Sequence, residues 1–123
     1  MSREDSRPLG LVVRQGPYAQ RDARAQLDVA LAAAVLELPL EVYFMDGGAW
    51  QLAAGRASRP ALLPGGLKGW AALPDMTTVR YFAGPDLCGR LVEFGVDLVV
   101  PLESLEIEAM ADRWRNCRQV MAL

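Results

Sequence analysis

The 123-residue sequence contains no histidine and only two cysteines, Cys88 and Cys117. Histidine is the commonest general base in enzymes, so its absence excludes hydrolases of the Ser-His-Asp and Cys-His types. Histidine is also the commonest metal ligand, and two cysteines far apart supply too few ligands for zinc. In a reducing cytosol both cysteines are expected to be free thiols. The composition therefore predicts a protein without a metal site.

Phosphate-binding loops are missing as well. The turn at residues 14–18, Arg-Gln-Gly-Pro-Tyr, lacks the serine, threonine or repeated glycine of nucleotide and flavin sites. The glycine-rich residues 65–69 follow no predicted strand and match no known phosphate-binding spacing. We therefore expect no cofactor.

Neither sign of charge dominates the chain. The 13 Lys and Arg residues are balanced by 15 Asp and Glu residues. Nucleic-acid and membrane-surface binders need a basic excess, so we expect no direct contact with either. No run approaches the roughly 18 apolar residues of a membrane span. Residues 1–8 are expected to be a disordered leader. The polar N-terminus lacks the apolar segment of a signal peptide, so the protein is expected to be cytosolic.

Apolar runs alternate with helical patterns along the rest of the chain. Strands are predicted at residues 9–14, 40–45, 77–83, 96–101 and 119–123. Helices are predicted at residues 19–37, 67–73, 86–94 and 105–116. This alternation predicts one α/β domain over residues 9–123, a three-layer sandwich whose mostly parallel five-stranded sheet has helices on both faces.

In the first predicted helix, Gln26 is assigned to the polar face, and one apolar stripe recurs at spacings of three and four: Ala23, Leu27, Ala30, Leu31, Ala34 and Val35. The second half of this helix is unusual. Residues 29–36 contain no polar side chain. A helix that is apolar all round is usually buried all round, and a domain of this size has little material to cover it. This pattern predicts a subunit interface. The alternative is that alanine, a strong helix former, tolerates exposure.

Functional sites in parallel sheets lie at the carboxyl ends of the strands, here residues 15–18, 46–50, 84–88 and 102–104. Cys88 is the candidate nucleophile of this region. If Asp86 caps the following helix, Cys88 lies in its first turn, where free amides and the helix dipole favour a thiolate. Arg90 would add to this effect and Asp86 would oppose it. The alternative is an inert, partly buried thiol.

Three further side chains are candidates for a pocket or an interface at the same edge of the sheet. They are Tyr18, Asp46 and Trp50. Asp46 precedes two glycines, so it also fits a plain turn. Tyr18 and Trp50 also fit a packing role. A stand-alone small-ligand module near Asp46 and Trp50 is the least favoured functional hypothesis.

Two segments together resemble one family. Gly-Pro-Tyr at residues 16–18 leads into the Ala-rich helix, and residues 42–52 read Val-Tyr-Phe-Met-Asp-Gly-Gly-Ala-Trp-Gln-Leu. This pattern is similar to the TusC/DsrF branch of the DsrE-like sulfur-transfer proteins, although Gly47 stands where a second Asp is usual. Residues 70–74 and the last short strand also fit. The resemblance implies a DsrE-like fold, with flavodoxin-like topology.

The resemblance also implies a function. It implies a cytosolic subunit of a homo- or hetero-oligomeric sulfur relay, beside paralogous DsrE/TusD-like and DsrH/TusB-like chains and sulfur-carrier proteins. Such relays serve thiolation of the tRNA wobble uridine or dissimilatory sulfur oxidation.

The TusC/DsrF branch generally lacks the sulfur-accepting cysteine, so the leading hypothesis is an accessory, non-catalytic subunit. As an enzyme, the chain would be at most a component of a sulfurtransferase. The alternative is an active sulfurtransferase with a persulfide on Cys88, which falls within a residue or two of the family's active cysteine.

Overall fold

The computed structural model of the protein describes residues 7–14, 20–45, 70–95, 98 and 100–122. The strands are β1 (Leu9–Val13), β2 (Leu40–Phe44), β3 (Val79–Ala83), β4 (Glu103–Ser104) and β5 (Gln119–Ala122). The helices are α1 (Gln20–Val35), α2 (Pro85–Glu93) and α3 (Ile107–Arg115), with a 3-10 turn at Leu73–Asp75. Residues 1–6 of the predicted leader, residues 15–19 and residues 46–69 lie outside the described residues.

All five described strands form one parallel sheet in the order β4-β3-β2-β1-β5. Every residue of β1 and of β2 is buried, as expected for strands covered on both faces. The predicted parallel five-stranded sheet is thus confirmed. The strand order differs from the flavodoxin-like order 2-1-3-4-5, because the last strand here lies beside β1 at the edge.

The topology decides which helix lies on which face. From β1 to β4 the chain moves across the sheet in one direction, so right-handed crossovers bring α1 and α2 to the same face. The step from β4 back to β5 reverses direction and brings α3 to the opposite face. Leu27 of α1 and Leu91 of α2 accordingly pack in one core cluster, and Met110 of α3 packs in the other, with Tyr43 and Phe82.

Helix α1 lies close to its predicted bounds, but its buried face differs by a small rotation. Leu27, Ala30 and Ala34 are buried, as the apolar stripe predicts. Val35, placed on the same stripe, is 67% exposed, whereas Gln26, assigned to the polar face, is buried. The runs of alanine cause the error, because alanine fits a buried or an exposed position equally well and marks neither face.

The fourth strand lies later in the chain than predicted. The described ladder beside β3 is made by Glu103 and Ser104. Residues 96, 97 and 99 of the predicted strand lie outside the described residues, and Leu98 forms an isolated β-bridge. Within that predicted range, Leu98 packs against the core and Val100 is buried. The apolar run therefore marks chain that enters the core just before the strand. The strand itself is a short, exposed edge and carries no apolar pattern.

None of the helices in the described part of the chain is long and apolar enough to cross a bilayer.

Candidate functional site

A cavity of about 370 Å³ opens at the carboxyl ends of β2 and β3. The strands β3 and β4 are neighbours, but the helices that follow them lie on opposite faces of the sheet. Connections that diverge in this way leave a crevice between them, which is where α/β sheets bind ligands. The cavity is lined by Phe44, Met45, Gly84, Pro85, Asp86, Leu87, Leu105, Glu106, Ile107 and Met110.

The described lining side chains are apolar apart from two exposed carboxylates, Asp86 and Glu106. Met45 and Leu87 are half-buried, and Ile107 remains 49% exposed. Asp86 and Glu106, at the beginnings of α2 and α3, are exposed. Such a lining binds apolar groups, because the walls offer contact area and few side-chain hydrogen bonds.

Cys88 lies next to this cavity, but its setting differs from the predicted one. The cap of α2 is Gly84, with Pro85 as the first helical residue, so the prediction that Asp86 is the cap is wrong. Proline is favoured at this position because it has no N–H to leave unpaired. The helix therefore begins one turn before Cys88, and the Cys88 amide already donates to the Gly84 carbonyl oxygen at 3.0 Å.

The Cys88 thiol is held as a hydrogen-bond donor. Its Sγ lies 3.8 Å from the carbonyl oxygen of Ala83, at the end of β3. Burial raises the pKa of the Cys88 thiol, while a side-chain hydrogen bond with Ser104 acts in the opposite direction and does not cancel it. The direction is opposite to the lowered pKa expected from a first-turn position. The setting favours the neutral thiol over the thiolate that nucleophilic chemistry needs.

A polar cluster, made by Glu41, Tyr43 and Arg113, lies under α3 on the other face of the sheet. Glu41 of β2 is 8% exposed and receives two bonds from Arg113, from Nε to Oε1 at 3.0 Å and from Nη2 to Oε2 at 2.7 Å. The hydroxyl of Tyr43 donates to the same Oε1 at 2.5 Å. Burial and the neighbouring carboxylate raise the pKa of Tyr43, so it stays a neutral donor.

Cys117 is buried beside this cluster. Burial raises the pKa of its thiol, and the Glu41 carboxylate acts in the same direction. Its surroundings therefore favour an unreactive thiol.

Of the four predicted site residues, the structure describes Cys88. Tyr18, Asp46 and Trp50 lie outside the described residues, and Cys88 does not line the cavity. Sequence analysis missed the apolar lining, because Phe44, Leu105 and Met110 each look like ordinary core residues. The one indication in the sequence of the polar cluster under α3 was Glu41, a lone acid inside an otherwise apolar strand.

Within the described ranges, no three Cys, Asp or Glu side chains gather as a metal site would require.

Comparisons with known proteins agree with this fold. The model of the DsrE/DsrF-like family matches residues 8–122. A protein of Pseudomonas aeruginosa named "Protein TusC homolog" is 43% identical over 124 residues, covering 96% of this chain and 99% of that protein. The crystal structure of the ychN protein from E. coli has the same fold, with a TM-score of 0.74 over 95% of this chain and 99% of that one, at 16% identity. A family match over nearly the whole chain and a relative of this identity agree, and the chain belongs to the DsrE/DsrF-like family.

Proposed function

We propose that this protein is an accessory, non-catalytic subunit of a cytosolic sulfur-relay complex that passes persulfide sulfur between proteins. Its partners are paralogous DsrE/TusD-like and DsrH/TusB-like chains, together with sulfur-carrier proteins. The complex serves thiolation of the tRNA wobble uridine or dissimilatory sulfur oxidation. Membership of the DsrE/DsrF-like family and the similarity to a protein named as a TusC homologue support this assignment.

The state of Cys88 is the observation that carries the non-catalytic part of the proposal. Sulfur transfer needs a thiolate within reach of a donor persulfide. Here the thiol is partly buried, has a raised pKa and donates to the Ala83 carbonyl oxygen. Every one of these features lowers the fraction of reactive thiolate at neutral pH.

The position of Cys88 favours a second candidate, an active sulfurtransferase. The residue follows the carboxyl end of β3 and adjoins the cavity lined by Leu87. In that case the Cys88 thiolate attacks the outer sulfur of a donor persulfide. A new S–S bond forms at Cys88, the donor's S–S bond breaks, and the donor leaves as a thiolate.

Mass spectrometry of the intact protein separates the two candidates. The protein is incubated with a persulfidated cysteine desulfurase, whose own sulfur load is measured in the same sample. We expect no gain of one sulfur atom at Cys88. A gain that disappears in Cys88→Ser but remains in Cys117→Ser would establish the sulfurtransferase and contradict the non-catalytic proposal.

The rate of thiol alkylation by iodoacetamide gives an independent readout. Because burial raises the pKa of Cys88, less thiolate is present at pH 7.5 than in an exposed cysteine. In a Cys117→Ser background we expect Cys88 of the folded protein to react at least about tenfold more slowly than after unfolding in urea. Faster reaction in the folded protein would indicate an activated thiolate.

A further inference from the structure

The cavity beside α2 and α3 carries a feature that the proposed function does not use. Its walls are apolar side chains from β2 and from the first residues of both helices. Ile107, at its mouth, is 49% exposed although it is a large apolar side chain. Exposed apolar surface around a concave site is typical of a place where another molecule docks.

The chemistry of the walls indicates what kind of molecule fits. A small polar metabolite needs several inward-facing hydrogen-bonding groups to orient it. Among the described lining residues, the charged side chains are Asp86 and Glu106, and both are exposed. An apolar side chain of another protein needs only the walls, as the central anchor residues of protein interfaces do.

The charge at the mouth indicates what flanks that anchor. Asp86, Glu106 and Glu108 are three carboxylates in or beside the first turns of α2 and α3. Each helix dipole offsets roughly half a charge at its N-terminus, which leaves about two negative charges. The cation Arg80, on β3, already forms a bidentate ion pair with Glu103. The mouth therefore favours cationic groups.

We propose that this cavity binds a segment of a partner protein that presents an apolar anchor side chain flanked by arginine or lysine. The anchor fills the space between Phe44, Leu105 and Met110. The basic neighbours lie against the carboxylates of Asp86 and Glu106. The inference deepens the proposed function by naming the kind of partner segment, and it rests on that function in taking this chain to work within a protein assembly.

Synthetic peptides test the proposal on the full-length protein without any sulfur donor. The first peptide has a central Leu-Phe pair with two arginines on each side, the second replaces the arginines with glutamates, and the third replaces Leu-Phe with Ala-Ala. Binding is followed by two-dimensional amide NMR. We expect saturable binding of the first peptide, with shifts centred on Leu87 and Ile107. We expect at least about tenfold weaker binding of the other two.

Two variants of the protein locate the binding. Asp86→Asn combined with Glu106→Gln is expected to weaken the arginine peptide about fivefold at low salt and to remove most of its salt dependence. Ile107→Ala is expected to weaken it about tenfold by removing apolar contact. The matched control combines Val92→Ala with Glu93→Gln at the other end of α2, where both side chains are exposed, and is expected to bind like the parent.

The NMR spectrum of each variant also reports whether the variant is folded. If Ile107→Ala is unfolded, the Asp86→Asn, Glu106→Gln variant alone tests whether the peptide binds in the cavity. Three results would overturn the proposal: no saturable binding, equal binding of the glutamate peptide, or binding that the cavity variants do not weaken. Occupation of the cavity by a second copy of this chain, seen as concentration-dependent shifts at Ile107 without peptide, would also overturn it. Failure here would leave the sulfur measurement at Cys88 unaffected, so the two proposals fail separately.

Discussion

At the scale of single residues, Arg113 of α3 combines an ion pair with an aromatic contact. Its guanidinium forms two hydrogen bonds to Glu41 and lies 4.9 Å from the centre of the Phe82 ring. The side chain of Glu41 is only 11% exposed, so its charge is removed from most of the water. A carboxylate in such a position is costly unless a cation and further donors compensate it. Arg113 therefore fixes α3 to the sheet.

Arg113→Gln tests this role. The substitution leaves the Glu41 carboxylate partly buried with Tyr43 as its one remaining side-chain donor. Because Arg113 is itself about one-third exposed, we expect a loss of about 2 kcal/mol of unfolding free energy rather than the full cost of a buried charge. Urea unfolding at neutral pH measures the change.

Arg115→Gln is the matched control on the same helix. Arg115 pairs with Asp112 at 2.9 Å, but its side chain is 77% exposed. We expect a change below about 0.5 kcal/mol, because exposed ion pairs contribute little. Equal effects of the two substitutions would contradict the structural role given to Arg113.

At the scale of the elements, α1 and α2 end in the same way, with a residue in the left-handed region. Glu37 has φ of 59° after α1, and Gly95 has φ of 63° after α2. The amides of Glu37 and Leu38 donate to the carbonyls of Ala34 and Ala33, the hydrogen bonds of a Schellman motif. The two helices thus end by the same backbone geometry, although only one uses the residue type that favours it.

Alanine substitution of Gly89, within α2, and of Gly95, just after it, should change the stability of the fold in opposite directions. Gly95→Ala meets no atom within 4 Å, so its cost is purely conformational. We expect it to destabilise the fold by about 1 kcal/mol, because a side chain disfavours the left-handed region. Gly89→Ala, inside the helix and also in open space, should stabilise it by about 0.5–1 kcal/mol. Thermal unfolding measures both, and effects of the same sign would contradict the assigned helix end.

At the scale of the whole molecule, exposed apolar side chains lie at the C-terminal ends of two helices, α1 and α2. Val35 and Leu36 are 67% and 71% exposed at the end of α1, and Val92 and Phe94 are 82% and 67% exposed at the end of α2. Both helices lie on the same face of the sheet and run back from the carboxyl ends of the strands, so their last turns lie toward the amino ends of the strands. Val35 and Leu36 belong to the all-apolar residues 29–36, for which the subunit interface stays a prediction.

The double variant Leu36→Glu, Phe94→Glu tests that interface. We expect it to remain folded, because both side chains are largely exposed, and to lose assembly with co-expressed DsrE/TusD-like and DsrH/TusB-like chains in size-exclusion chromatography with light scattering. Gln119→Glu, an exposed position on the edge strand β5, is the matched control for added charge. An unchanged assembly in the double variant would rule out this surface, and a parent chain that ignores both paralogues would contradict the proposed function.

Much of the fold could be predicted from the sequence, and the candidate site could not. The apolar runs of β1 and β2 are local patterns, so they predicted these strands well. The cavity depends on Phe44, Leu105 and Met110, which are far apart in the chain and each look like a core residue. Likewise, the first-turn position of Cys88 suggested a thiolate, whereas the Ala83 carbonyl and the surrounding burial favour the neutral thiol.

The sequence by itself determined the α/β class, the parallel sheet and the exclusion of histidine-dependent chemistry, because composition and periodicity act through local propensity and burial. The family was indicated by the resemblance that residues 16–18 and 42–52 carry. Only the tertiary structure decided the strand order, the pairing of Arg113 with Glu41 across 72 residues, and the state of the Cys88 thiol. These depend on which side chains meet after the crossovers close, and on how much water remains around them. The absence of histidine excludes histidine-dependent chemistry. The reversal of the chain's direction across the sheet between β4 and β5 determines where the cavity lies.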